Sequence, residues 1–422
     1  NKINEARKKT IRILQDHFST SEDLNQMFDY FIQIDAKKEG IEIFVQAQRQ
    51  KIIDEIHDDR ITLIQLPPAP VTDDSRAPHV DVYVKLLNLI SSRILSSLVA
   101  LHDPGHFSVF IRLLLERMDT NIEEIIKQYS EYRKLDDLEQ NSETRLTSLD
   151  LVNEEISIFA HQFALFEKFI AQKLSKGILT PFFTEFQYHY QTDFKTGLPR
   201  NTAASRSREE LLIHYSVLTQ NYLAIVTDKL LKTIRLMEKT VDVTYAIDDL
   251  FFVFKRTLNR SITTLWASTT CTTFNVITSI IRDQLMVAIK PKTWFITKEI
   301  GITEKYGVQI NACQVVNVYL NKLTELIETT ITKQFVSDDL MAIQLGVNDL
   351  KICGAQLQEE LDKQFLEMKT KLDKTLKILC RPFNETKWDG QISIEHKTEL
   401  EHAFNVHFLQ YTESYKQNLN MV

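Results

Sequence analysis

Long stretches of this sequence run without a glycine or a proline. Nine of each occur in 422 residues, roughly a third and a half of what average usage would supply. Tight hairpin turns and phosphate-cradling loops draw on glycine because it enters left-handed backbone without a steric penalty. A chain this poor in it has little room for β architecture built on short turns. Long helices with few interruptions are expected instead. The length exceeds one ordinary core and points to roughly two to four helical units. With 43% hydrophobic and 25% charged residues, the chain belongs with folded rather than disordered sequences.

Apolar spacing supports the helical reading. Phe107, Ile111, Leu114, Met118, Ile122, Ile125, Tyr129 and Tyr132 step by four and three, which lays one stripe along one helix face. Cys313, Val316, Leu320, Leu323, Ile327 and Ile331 repeat the pattern. Val347, Leu350, Leu357, Leu361, Phe365, Met368, Leu372, Leu376 and Leu379 extend it over several turns. Such helices pack side by side as bundles. The expected fold is therefore all-α, an elongated rod of consecutive helical bundles. No sustained repeat of the tetratricopeptide or HEAT kind is visible.

Punctuation divides the chain. Leu66-Pro67-Pro68-Ala69-Pro70-Val71 through Ala77-Pro78 cannot continue a helix and reads as a linker. The expected organisation is a helical segment over 1–66, a linker over 67–78, and bundles over 79–240 and 241–422. Thr20-Ser21-Glu22-Asp23 reads as a helix start. Other breaks are expected at Asp103-Pro104-Gly105, across 195–206, near Pro291, Gly301 and Gly307, and over 382–390. Ser207 and Glu210 form a capping-box pattern that would open a helix.

Net charge is −7 and the isoelectric point about 5.9. Basic residues are spread rather than striped, so nucleic acid is not an expected partner. Cys271, Cys313, Cys353 and Cys380 form no CxxC pair and read as buried thiols of a reducing compartment. The apolar stretches 86–101 and 271–289 are interrupted by Arg93 and Arg282 and read as buried core helices, not membrane spans. Asn259-Arg260-Ser261 and Asn384-Glu385-Thr386 match the glycosylation triplet incidentally. Asn1 stands where an initiator methionine would, so a longer parent protein is expected.

The common catalytic signatures are missing from the sequence: no GxxxxGK[ST], GxGxxG, GxSxG or HExxH occurs. His102 and His106 flank Pro104 and Gly105 and read as exposed loop histidines rather than a helical metal pair. His396, His402 and His407 do not share a face at ligand spacing. A diphosphate-binding helix needs carboxylates at i, i+1 and i+4 to hold magnesium. Asp248-Asp249 lacks the third, and Asp136-Asp137 has Gln140 in its place. These acids read as helix-dipole partners or solvated surface. No catalytic, cofactor-binding or metal-ligating residue is assigned, no cofactor is expected, and the chain is not read as an enzyme. Arg200, Arg206 and Arg208 are an exposed basic set in a solvated linker and a candidate contact.

Several segments, in order, resemble the fourth-subunit family of the conserved oligomeric Golgi complex. Pro104-Gly105-His106-Phe107 opens a long helix that ends in Ile122-Glu123-Glu124-Ile125-Ile126-Lys127-Gln128-Tyr129, as in that family. Residues 149–174 resemble its next helix. The closest match is Ile247-Asp248-Asp249-Leu250-Phe251-Phe252-Val253-Phe254-Lys255-Arg256: an acidic pair, an aromatic-rich turn and a basic pair. Residues 308–335, with Asn311, Cys313 and Asn317, resemble the helix that follows. The similarity runs from about residue 80 to about 410.

The resemblance implies a non-enzymatic structural subunit of a Golgi vesicle-tethering complex, acting in retrograde intra-Golgi transport. It would sit on the cytosolic face of Golgi membranes as a peripheral protein. Its implied partners are other subunits of the complex, SNAREs and the SM-type SNARE regulator. The family's N-terminal coiled region and compact C-terminal domain are expected to lie outside this sequence, so no binding residue is carried over from them. A stiff rod suits tethering, because separated patches add avidity without one strong site. The alternatives are a subunit of a related tether (exocyst, Golgi-associated retrograde or Dsl-type), an all-helical enzyme, or a solenoid adaptor.

Overall fold

A computed structural model describes residues 2–18, 24–68, 75–140, 146–193, 195–236, 240–290, 304–385 and 394–402. Among these, the regular elements are helical apart from one isolated antiparallel bridge between Thr192 and Pro199. In order they are α1 (Lys2–Phe18), α2 (Leu24–Gln33), α3 (Lys37–Glu55), α4 (His57–Gln65), α5 (Pro78–Ser97), α6 (Pro104–Arg133), α7 (Leu135–Gln140), α8 (Leu146–Leu174), α9 (Pro181–Thr184), α10 (Ala203–Leu236), α11 (Thr240–Thr263) and α12 (Ala267–Ser279). A π-helical turn (Ile280–Leu285) follows, then α13 (Met286–Ile289), α14 (Glu304–Gln334), α15 (Ser337–Glu385) and α16 (Ile394–His402). The all-α bundle expectation holds.

Two compact units emerge. The first comprises Asn1–Asn221 with Thr263–Thr269, the second Tyr222–Ile262 with Thr270–Val422. In the first unit α6 is the central helix, packed against α3, α5, α8 and α9. Nearly every side chain from Phe107 to Leu115 is buried, because a helix enclosed by neighbours has no solvent face to keep polar. Asp103 caps it, its Oδ1 accepting from the Gly105 and His106 N–H groups at 2.8 and 3.0 Å. Pro104 occupies N1, where its missing donor costs nothing. Pro78 does the same for α5. Gly177 is required by contact: a Cβ there would lie 2.0 Å from the Pro104 carbonyl oxygen.

In the second unit α14 packs along α15. Cys313, Val316, Leu320, Leu323, Ile327 and Ile331 are all buried, as are Val347, Leu350, Leu357 and Leu361. Phe365 is 38% exposed, so the α15 stripe is already leaving the core there. The side chains of Met368, Leu372, Leu376 and Leu379 lie outside the described residues. Between α12 and α13 the buried positions Ile277, Ile281, Leu285 and Ile289 recur at strict steps of four. An α-helix would rotate such a series by about 40° per step. The wider π turn absorbs that rotation and keeps the four side chains inward.

α14 opens at Glu304, beside the break expected near Gly307, and α15 ends at Glu385, inside the break expected over 382–390. The helix after the 195–202 loop opens at Ala203, not at Ser207, for reasons given below. Thr20–Asp23, Pro291 and Gly301 lie outside the described residues. Residues 271–289 form helix with one buried face, broken by the π turn, and Arg282, Asp283, Gln284 and Val287 are exposed. No described helix is long and apolar enough to cross a membrane.

Candidate functional site

A cluster of buried and half-buried charge lies on one face of α6, where Arg112, Glu116 and Asp119 follow one another at helical spacing. Together they hold the segment between α9 and α10. Glu116 accepts from the backbone N–H groups of His189 and Tyr190 at 2.9 and 3.1 Å. Arg112, fully buried, donates through Nη2 to the Tyr190 and Gln191 carbonyls and lies over the Tyr188 ring. Asp119 accepts from the Tyr190 hydroxyl at 2.6 Å and from the N–H groups of Ala203 and Ala204 at 2.7 and 2.9 Å. That carboxylate therefore caps α10 from another helix, where the macrodipole favours negative charge. Thr202 completes the cap by accepting from Ser205 N–H at 3.0 Å. Burial, then the Asp119 hydrogen bond, push the Tyr190 phenol up to about 12.

A second cluster centres on Glu155. Its oxygens accept from Arg133 Nε and Nη2 at 2.9 and 2.6 Å, from the Tyr129 hydroxyl at 3.1 Å and from Ala77 N–H at 2.6 Å. Arg133 also donates to the Ser75 carbonyl at 2.7 Å. Both charges are almost wholly buried, a state sustained only when hydrogen bonds satisfy both groups. The cluster fastens the chain ahead of α5 onto α6 and α8. Beside it His79 is buried against the Tyr129 and Tyr132 rings. Burial and, secondarily, the Arg133 charge lower its pKa to about 4.

The basic set expected to be exposed is not one set. Arg208 is buried: it pairs with Glu167 at 2.6 Å and lies between the Phe163 and Trp266 rings, 4.5 and 4.8 Å from their centroids. Its guanidinium sits on aromatic faces, as arginine favours. Arg200 pairs with Asp193, and that hydrogen bond holds the Asp193 carboxyl well below its usual range. Arg206 is exposed and donates to the Asn201 carbonyl. Only Arg200 and Arg206 remain at the surface.

His106 also departs from expectation. It lies in the first turn of α6 and packs edge-on against Phe28 and Phe182, while His102 is an exposed loop residue. Cys313 and Cys353 are buried, and Cys271 and Cys380 half-buried. Burial pushes the Cys313 thiol up to about 12. Asp248 and Asp249 are exposed on α11, and Asp248 accepts a hydrogen bond from Tyr319. Asp136, Glu139 and His214 place ligand atoms within 4.8 Å of one another, but the His214 Nδ1 to Glu139 Oε1 separation of 2.7 Å is that of a hydrogen bond joining α7 to α10. A cleft of about 280 Å³ beside the π turn is lined by Arg282, Met286, Lys290, Cys313 and Glu360. Its cations are balanced by Asp283 and Glu360.

The buried charges thus position backbone, and what faces solvent is helix surface. No curated protein and no solved structure matches the chain at a significant level. The model of one family does. Described as COG4 transport protein, middle alpha-helical bundle, it matches residues 137–293. Over that stretch, from within α7 to just beyond α13, the chain is similar to the COG4 middle helical bundle.

Proposed function

We propose that the chain is a structural, non-enzymatic part of a Golgi vesicle-tethering complex, acting in retrograde intra-Golgi transport through contacts with other subunits and with SNARE machinery. The family match over 137–293 carries this reading. It is supported by the use made of polar groups in the first unit: Arg112, Glu116, Asp119, Arg133, Glu155 and Arg208 each spend their hydrogen bonds on holding backbone or packing helices. A scaffold needs rigidly held surfaces, and such clamps provide them. No described helix could cross a bilayer, which accords with a peripheral protein on the cytosolic face of the Golgi.

The test is affinity capture of the tagged full-length protein from cells. Other subunits of the Golgi tether should co-purify at comparable abundance, with SNAREs in smaller amounts. Recovery free of any tether subunit, from a lysate in which the complex is otherwise intact, would overturn the reading. The membrane-bound pool should be released by alkaline carbonate.

A further inference from the structure

One face of α11 is filled by core contacts: Ala246, Ile247, Leu250, Phe251, Phe254, Leu258 and Ile262 are buried. Phe251 stacks on Tyr319 of α14, with ring centroids 5.4 Å apart. The opposite face nevertheless carries two large aromatics. Tyr245 is 66% and Phe252 63% exposed, seven residues apart and therefore one above the other on the helix. Exposed aromatics in line on a rigid element are the kind of residue that anchors interfaces. Core packing accounts for neither.

The surrounding charges say what would cover them. Asp248 and Asp249 are exposed four and three residues before Phe252; Lys255 and Arg256 are exposed three and four residues after it. At about 1.5 Å per residue, the acidic and basic pairs stand about 5 Å to either side of the ring. This arrangement is its own complement under a two-fold rotation through Phe252. In an antiparallel pairing, Asp248 faces the second copy's Arg256, and Asp249 faces its Lys255, twice over. A parallel pairing would set acid on acid and base on base. Isologous contacts of this self-complementary kind are the commonest way for identical chains to associate.

We propose that the exposed strip of α11 is a homotypic docking surface, on which a second copy of this chain binds antiparallel with the two Phe252 rings at the centre. The contact is weak. The strip is short beside the roughly 1,200 Å² or more of a stable complex, and the net charge of −7 opposes bringing two copies together. Arg256 also takes part in an interaction within its own chain and Asp248 accepts from Tyr319, so Lys255 and Asp249 are the more available pair.

Sedimentation equilibrium of the whole chain tests this. The weight-average mass should rise from 49.2 kDa toward twice that value as concentration climbs to about 100 μM, the range suited to a small interface. Asp248→Lys with Asp249→Lys should abolish association, as should Lys255→Asp with Arg256→Asp. An equimolar mixture of these two variants should associate again, because each then complements the other and neither itself. Phe252→Ser should lose association outright. All five sites are exposed, so circular dichroism should stay unchanged and confirm intact folds. A monomer throughout that range, association untouched by these variants, or a mixture that fails to associate would each overturn the proposal.

Discussion

Glu155 shows what a buried charge does in this chain. One carboxylate satisfies Arg133, Tyr129 and the Ala77 N–H, so removing it strands several groups away from water. Glu155→Leu should destabilise the protein by about 3–5 kcal/mol in urea unfolding. Adding Arg133→Met should recover part of that loss, because the stranded cation goes with it. His79 supplies the pH dependence. It is held neutral, with its pKa lowered from 6.5 to about 4, so between those values the unfolded chain binds a proton that the folded chain refuses. Stability should therefore fall as pH drops from 6.5 toward 4. One proton gives a slope of at most about 1.4 kcal/mol per pH unit, and His79→Phe should remove that component from a urea titration series. Neither role was legible in the sequence, where a glutamate and a histidine on amphipathic stretches look like any others.

At the scale of elements, helix interiors and the ends marked by proline were readable, as at Pro78 and Pro104, and an end capped from elsewhere in the chain was not. The stripes on α6 and α14 matched burial almost residue for residue, because apolar periodicity records a face directly. The start of α10 was misplaced because its cap is tertiary: Asp119, 84 residues before Ala203, supplies the acceptor that Ser207 and Glu210 were expected to provide. Local preference at Gly307 and Pro382 locates breaks only to within a few residues: α14 opens at Glu304 and α15 ends at Glu385. The π turn had a sequence signal that went unread, the four-residue spacing of Ile277, Ile281, Leu285 and Ile289. Asp119→Ala should leave two backbone donors and the Tyr190 hydroxyl unsatisfied and cost at least about 2 kcal/mol. Amide exchange at 203–205 should accelerate more than exchange in the middle of α10, whereas a uniform change along the helix would contradict a capping role.

For the whole molecule, the segment that matches the family model is not a compact unit of its own. Residues 137–293 contribute to both compact units, giving 137–221 and 263–269 to the first and the remainder to the second. Within the first unit, the apolar side of α8, with Val152, Ile156 and Phe159, is enclosed by α5 and α6, both of which lie wholly outside the matched stretch. A protein trimmed to 137–293 would open two half-cores at once, uncover those side chains and lose the carboxylate that starts α10. Similarity and autonomy therefore have different borders here: the limits of the matched stretch are not those at which the chain could be cut and still stand alone.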